Sequence, residues 1–198
     1  VSLNDVLEIF VTAPSTPTIT YLASQPIQVQ ATGPAEIPVY TAEQMGVRAG
    51  QSFTDAVEVE NNSLTDPSVN NLESLAELNP DAQTVTLGPY TGETAVDSYD
   101  QIAYRAGNTF YSMGKSGWDN IVNKLIEAGI TNQDDINAEL WRINQNFLDK
   151  QIAKDKIFEF TVNPSDIDRT KFAYKEYLYL KEKGYQFHES NGVWTSGG

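Results

Sequence analysis

The chain has 198 residues, 40% hydrophobic and 11% aromatic, with 27 acidic against 13 basic side chains and a formal net charge of −14. That apolar content suffices for one ordinary core or two small ones, while the acidic excess repels phosphate backbones and argues against nucleic acid as a partner. No apolar run reaches the roughly 18–20 residues of a membrane span, and the absence of cysteine removes disulfides and thiolate chemistry.

The charge is uneven along the chain. Residues 1–100 hold 14 acidic side chains against Arg48 alone, whereas residues 101–198 hold 13 acidic and 12 basic. Such a face is either a solvated surface that keeps the chain soluble or a docking surface for a basic partner.

Residues 1–43 read as an extended β arm. Short β-prone runs, Val6-Leu7-Glu8-Ile9-Phe10-Val11 and Ile27-Gln28-Val29-Gln30, alternate with prolines 14, 17, 26, 34 and 38. Proline lacks a ladder donor, so these runs are expected as edge strands or as a strap. The opening Val1-Ser2-Leu3-Asn4-Asp5 carries neither the basic region nor the apolar core of a signal peptide.

A repeat follows. Val47-Arg48-Ala49-Gly50-Gln51-Ser52-Phe53 is echoed by Tyr104-Arg105-Ala106-Gly107-Asn108-Thr109-Phe110, and similar elements are expected after each copy. After the first, Ser52-Phe53-Thr54-Asp55 has capping-box form, Asp66-Pro67 opens a second helix carrying Val69, Leu72, Leu75 and Ala76, and Gln83-Thr84-Val85-Thr86-Leu87 reads as a strand. After the second, Ser116-Gly117-Trp118-Asp119 opens a helix carrying Trp118, Ile121, Val122, Leu125 and Ile126, closed by Gly129. A further helix from Thr131–Asp134 carries Ile136, Leu140, Ile143 and Phe147, and Ile157–Val162 alternates as a strand. Both copies thus read strand, helix, helix, strand.

In that order, with Gly50-Gln51-Ser52-Phe53 and Gly107-Asn108-Thr109-Phe110 at the first turn and Leu78-Asn79-Pro80 and Ile143-Asn144 at the end of the second helix, the chain resembles tandem lysin-motif (LysM) modules. It departs from them in carrying Gln51 and Asn108 where the family has Asp, and Ala153-Lys154-Asp155 where a Pro-Gly turn is usual. The resemblance implies a ligand groove between the first turn and the loop after the second helix. Here that means Gly50, Gln51, Ser52 and Phe53 facing Asn79 and Pro80, and Gly107, Asn108, Thr109 and Phe110 facing Asn144, Gln145 and Asn146. Amides and hydroxyls there would hydrogen-bond N-acetyl sugars of peptidoglycan or a chitin-like polymer; the competing expectation is that they cap helices and turn the chain.

Residues 164–198 read as a Tyr-rich helix, capped by Asn163-Pro164-Ser165 and Asp168 and ending near Gly184, followed by a flexible Gly192–Gly198 end. Catalytic chemistry is sparse. The single histidine, His188, sits apart from the repeats, no Gly-x-Ser-x-Gly elbow or phosphate loop occurs, and one His without Cys cannot build the usual tetrahedral zinc site. Carboxylate pairs for a glycoside hydrolase are not excluded by sequence, but Asp55, Asp119, Asp134 and Asp168 sit where helix N-termini explain them.

The expectation is an α+β protein: an arm over 1–43, LysM-like modules over 44–92 and 101–163, and a C-terminal segment over 164–198. Its expected role is non-enzymatic and cofactor-free, as a subunit held by other proteins in a large assembly such as a phage tail or virion. The alternative is a peptidoglycan-binding protein at the cell wall; a carboxylate-dependent hydrolase ranks third.

Overall fold

The structure, a computed structural model, describes residues 36–48, 57–64 and 72–197. The expected strands of the arm, the Gly50–Phe53 turn and the Asp66-Pro67 cap lie outside the described residues. The chain divides into two compact units, Val1–Glu36 and Ile37–Gly198, and only the second is described below.

It is an α+β structure. β1 (Val59–Glu60) and β2 (Ser63–Leu64) form a small hairpin; residues 72–76 are helical and run into β3 (Glu77–Leu78), then β4 (Thr84–Leu87). α1 (Tyr99–Ala106), β5 (Phe110–Tyr111), α2 (Gly114–Glu127), α3 (Gln133–Ala153) and β6 (Ile157–Phe160) follow. A 3-10 turn (Pro164–Asp166), α4 (Phe172–Glu182), β7 (Gln186–Ser190) and β8 (Val193–Gly197) complete the order.

The long helices form for the reasons legible in their periodicity. In α3, Ile136, Leu140, Ile143 and Phe147 recur at helical spacing and all are buried. Asn132 caps its N-terminus by accepting from the Asp134 N–H at 3.0 Å, with Asp134 and Asp135 in the first turn where the helix dipole favours them. α2 buries Ile121 and Leu125 on the same core; Trp118 is half-buried against it. α2 starts at Gly114, so Ser116 lies inside the first turn and does not cap it.

Among the described residues, strands that follow the two copies of the repeat pair with one another. A βααβ module would pair its own strands, but β3 pairs antiparallel with β5 (Glu77↔Tyr111, Leu78↔Phe110), and β4 pairs parallel with β6 (Thr84↔Ile157 through Leu87↔Phe160). On its other side β4 is joined in parallel by Thr109, whose N–H donates to Thr84 O at 2.8 Å and whose carbonyl accepts from Thr86 N–H at 2.9 Å. The halves expected at 44–92 and 101–163 are therefore interleaved within one unit.

The repeated Arg-Ala-Gly also differs from expectation. Tyr104–Ala106 is the last turn of α1, and no strand leads into Gly107, which is the left-handed C-cap (φ 71°) whose N–H returns to the helix. In this second copy the motif marks a chain reversal that glycine makes without a Cβ penalty. In the first copy Val47 and Arg48 are neither helix nor strand.

The main core gathers Leu125, Leu140, Ile143, Phe147, Phe158 and Phe160, all at most 1% exposed. Each such side chain contributes about 1.5–3 kcal/mol by leaving water. A smaller cluster of Met45, Val47, Leu78, Ala103 and Phe110 lies on the other face of the β3–β5 pair, because successive strand residues alternate: Phe110 enters this cluster and Tyr111 the main core.

The C-terminal segment corrects two expectations. Asn163 caps only the 3-10 turn, accepting from Ser165 N–H at 3.1 Å, while Asp168 binds Thr170, so α4 starts later, at Phe172. The expected flexible end is instead a hairpin over most of its length. Asn191 (φ 53°) and Gly192 (φ 82°) make a two-residue turn with both residues left-handed, and β8 is inserted between β6 and β7, giving the sheet order β4-β6-β8-β7.

Candidate functional site

Of the residues expected to line two glycan grooves, the structure joins Asn79 and Pro80 of the first set to Asn108 and Thr109 of the second, while Gly50, Gln51, Ser52 and Phe53 lie outside the described residues. The Asn79 side-chain amide donates to Asn108 O at 3.1 Å, and the Thr109 hydroxyl donates to Asn79 O at 2.6 Å. Lys156, 6% exposed, donates to Pro80 O at 2.6 Å and to Thr109 Oγ1 at 2.9 Å; burial, helped by nearby Lys154, pulls its ammonium below the usual lysine range. Asn108 Nδ2 donates to Thr86 Oγ1 at 3.0 Å and to Glu159 Oε1 at 2.8 Å, and Thr86 donates to the same carboxylate oxygen at 2.6 Å.

These amides and hydroxyls are thus engaged with one another and tie β4, β6 and the turn after α1 into one piece. Gly107 is the helix cap already described, and Phe110 is fully buried in the smaller cluster. Asn144 does not join this junction through its hydrogen bond: it is 5% exposed on α3 and donates to Glu176 of α4 at 2.6 Å. Gln145 and Asn146 are half-buried on the same helix.

Glu176 is the centre of a second polar group, set in the main core. Burial pushes its carboxyl up to about 7, against the lowering effect of the Asn144 bond. Tyr111 is buried beside it, and burial together with the charges of Glu176 and Glu73 holds its phenol protonated well above the usual range. Tyr99 from α1 donates to the Tyr111 carbonyl. Among the described residues, Asn144 Oδ1, the Tyr111 hydroxyl and Glu73 Oε2 have no hydrogen-bond partner. Burial without a cation beside it disfavours the ionised form of Glu176, so its carboxyl keeps its proton to a higher pH than an exposed one does.

Nearby Glu77 has the opposite fate. Burial alone would raise it, but bonds from Lys150 at 2.6 Å and Gln151 at 2.9 Å, with Lys154 at 3.5 Å, outweigh burial and hold it below the usual carboxylate range.

A groove opens at the C-terminal side of the sheet. Its volume is about 380 Å³, and its walls come from α4 (Tyr177, Lys181), the start of β7 (Phe187, His188), Trp194 of β8 and Asn163 before the 3-10 turn. The rings support one another: Phe187 lies 5.9 Å from Tyr177 and 5.1 Å from Phe160 in an edge-to-face contact, and the Lys181 ammonium rides 5.3 Å over the Tyr177 ring. The α4 tyrosines pack their rings against the core while remaining partly exposed.

β7 borders this groove and ends the sheet. It pairs with β8 on one side and, among the described residues, with nothing on the other; four of its five residues are exposed. In a two-residue hairpin the pair flanking the turn, Ser190↔Val193, exchanges both backbone bonds, and so do alternate pairs, His188↔Thr195 and Gln186↔Gly197. The N–H and C=O groups of Phe187 and Glu189 therefore point away from β8, along the open edge. Sequence reasoning missed this site, although Asn191-Gly192 between β-prone runs is its signal.

Among the described residues no helix is long and apolar enough to cross a membrane, and no group of three or more His, Asp or Glu side chains stands where it could hold a metal ion. No protein-family model, curated protein or solved structure matches the chain.

Proposed function

We propose that this chain is a non-enzymatic assembly protein that joins a larger structure, such as a virion or phage tail, through the open edge of β7. The observation carrying this reading is a five-residue strand whose outward backbone groups, at Phe187 and Glu189, are unpaired among the described residues and accessible. Exposed edges are templates for strand addition and are usually blunted where no partner exists. The test is the native mass of the full chain recovered from its source, beside a Glu189→Pro variant. Proline at 189 removes an outward N–H and leaves the bonds to β8. The expected result is a complex far larger than the 21.9 kDa chain for the unaltered protein and free monomer for the variant; monomer in both, or complex in both, refutes the reading.

A second reading, retention on peptidoglycan or another N-acetylglucosamine polymer, is favoured by the ring-walled groove, since Tyr177, Phe187 and Trp194 beside Asn163 offer sugar-stacking faces with an amide. It moves the ligand away from the Asn79 and Asn108 junction, whose amides are engaged internally. Sedimentation with insoluble peptidoglycan, abolished by Trp194→Ala, supports it; no sedimentation of the unaltered chain removes it.

A further inference from the structure

The geometry points to an extended protein segment as the occupant of β7, carrying an aromatic residue whose ring enters the groove beside Phe187 and Trp194 and, two residues along, a carboxylate that meets Lys181. This inference rests on the reading of β7 as a docking edge and specifies what docks there.

The spacing follows from the pleat. Alternate residues of an added strand point to the same face of the sheet, and directly paired residues share a face. Phe158, Phe160, Phe187, Glu189, Trp194 and Ser196 therefore all lie on the face covered by α4, with Glu189 one step along the strand from Phe187 on that face. A strand laid along β7 sends every second side chain to that face, beside Phe187, where the groove opens. Its outward-facing backbone partners are Phe187 and Glu189, which offer two donors and two acceptors.

The chemistry of the groove selects the side chains. Its walls are mainly rings, against which a further ring packs edge-to-face as Phe187 already does on Phe160. The lining holds one formal charge, Lys181, and that charge is positive in a chain of net charge −14. Lys181 rests over an aromatic face, and among the described residues it has no carboxylate within ion-pair distance. Lys181 is exposed, so a carboxylate brought beside it by a docked strand would gain a charge-assisted partner. A basic side chain placed beside Lys181 would meet repulsion from its ammonium.

The test uses the full chain as bait for a display library of random heptapeptides, followed by binding of synthetic, terminally blocked copies of the enriched sequences. The expected enrichment is an aromatic residue and Asp or Glu two positions apart in a β-prone, proline-free frame. Binding should fall at least tenfold with Glu189→Pro and with Lys181→Glu, and peptides with Lys in place of the acidic residue should recover binding to the Lys181→Glu variant. That recovery separates recognition from a folding defect, and an unchanged urea midpoint for each variant guards the comparison. Enriched peptides that lack the acidic residue, or a Lys181→Glu variant that binds as well as the original, would overturn the inference. If Glu189→Pro still abolished binding in that case, the edge reading would stand. Failure to enrich any peptide, together with concentration-dependent dimers lost in Glu189→Pro, would assign the edge to a second copy and also overturn it.

Discussion

Replacing Glu176 with glutamine should remove a loss of stability that the chain suffers as pH rises through 7. The carboxyl titrates near 7 in the fold against about 4.5 when unfolded, so the folded state holds its proton more tightly than the unfolded chain does. The resulting contribution is fully present below about pH 4.5 and is lost as pH rises through 7. A shift of about 2.5 units corresponds to about 3 kcal/mol lost by pH 8. The amide introduced by Glu176→Gln keeps an oxygen for the Asn144 side chain and never ionises, so the variant should match the original chain near pH 4.5 and exceed its stability by up to about 3 kcal/mol at pH 8. For a chain of this size that is roughly 6–12 °C in Tm. Urea unfolding followed by tryptophan fluorescence at pH 4.5, 6, 7 and 8 measures it. Only the difference between the two proteins is read, because Glu77, held low, contributes stability of the opposite pH sign. Two parallel stability–pH curves would refute the argument from a buried, neutral Glu176.

Other expected outcomes are smaller or simpler. Gly107→Ala leaves open space around the new Cβ but forces alanine to φ 71°, so the urea midpoint should report a loss of about 1 kcal/mol, the left-handed penalty without a clash. Phe147→Ala, at a site 0% exposed and in ring contact with Tyr111 at 5.3 Å, should cost about 3–5 kcal/mol in the same assay. Thr109→Val removes the hydroxyl that bonds Asn79 and receives Lys156; leaving the buried ammonium one acceptor short should cost about 1–3 kcal/mol, and hydrogen exchange at the Thr86 amide should quicken.

Helices α2 and α3 were legible because their apolar residues recur at 3.6-residue spacing over several turns, and a pattern that long has few alternative readings. The strand at Ile157–Phe160 was legible from the alternation of Phe158 and Phe160, although Val162 lies beyond it and is exposed. The repeat misled because a seven-residue motif, which in its second copy ends a helix at Gly107, carries nothing about which strands pair afterwards. Thr84–Leu87 carries only four residues to the sheet, and no local signal in it names Ile157–Phe160 as its partner. Helix α1 hid among glycines and a proline, with Ile102, Ala103 and Ala106 as its few aliphatic residues. The hairpin at Asn191-Gly192 was readable in principle, and its closeness to a glycine-rich end masked it.

The exchange of strands between the two halves bears on how the chain reaches this state. Val85 meets Phe158, and Glu77 meets Tyr111, only after long stretches of intervening chain have been arranged, so β3 and β4 can join their partner strands only once those loops close. Folding should be slow relative to helical proteins of this length and should depend on α2 and α3 condensing early. A cut in the segment between β4 and α1 should leave a first piece, carrying β1 to β4, that is disordered alone and regains structure when mixed with the second, which holds the partner strands β5 and β6. Duplicated modules would behave oppositely, each surviving without the other.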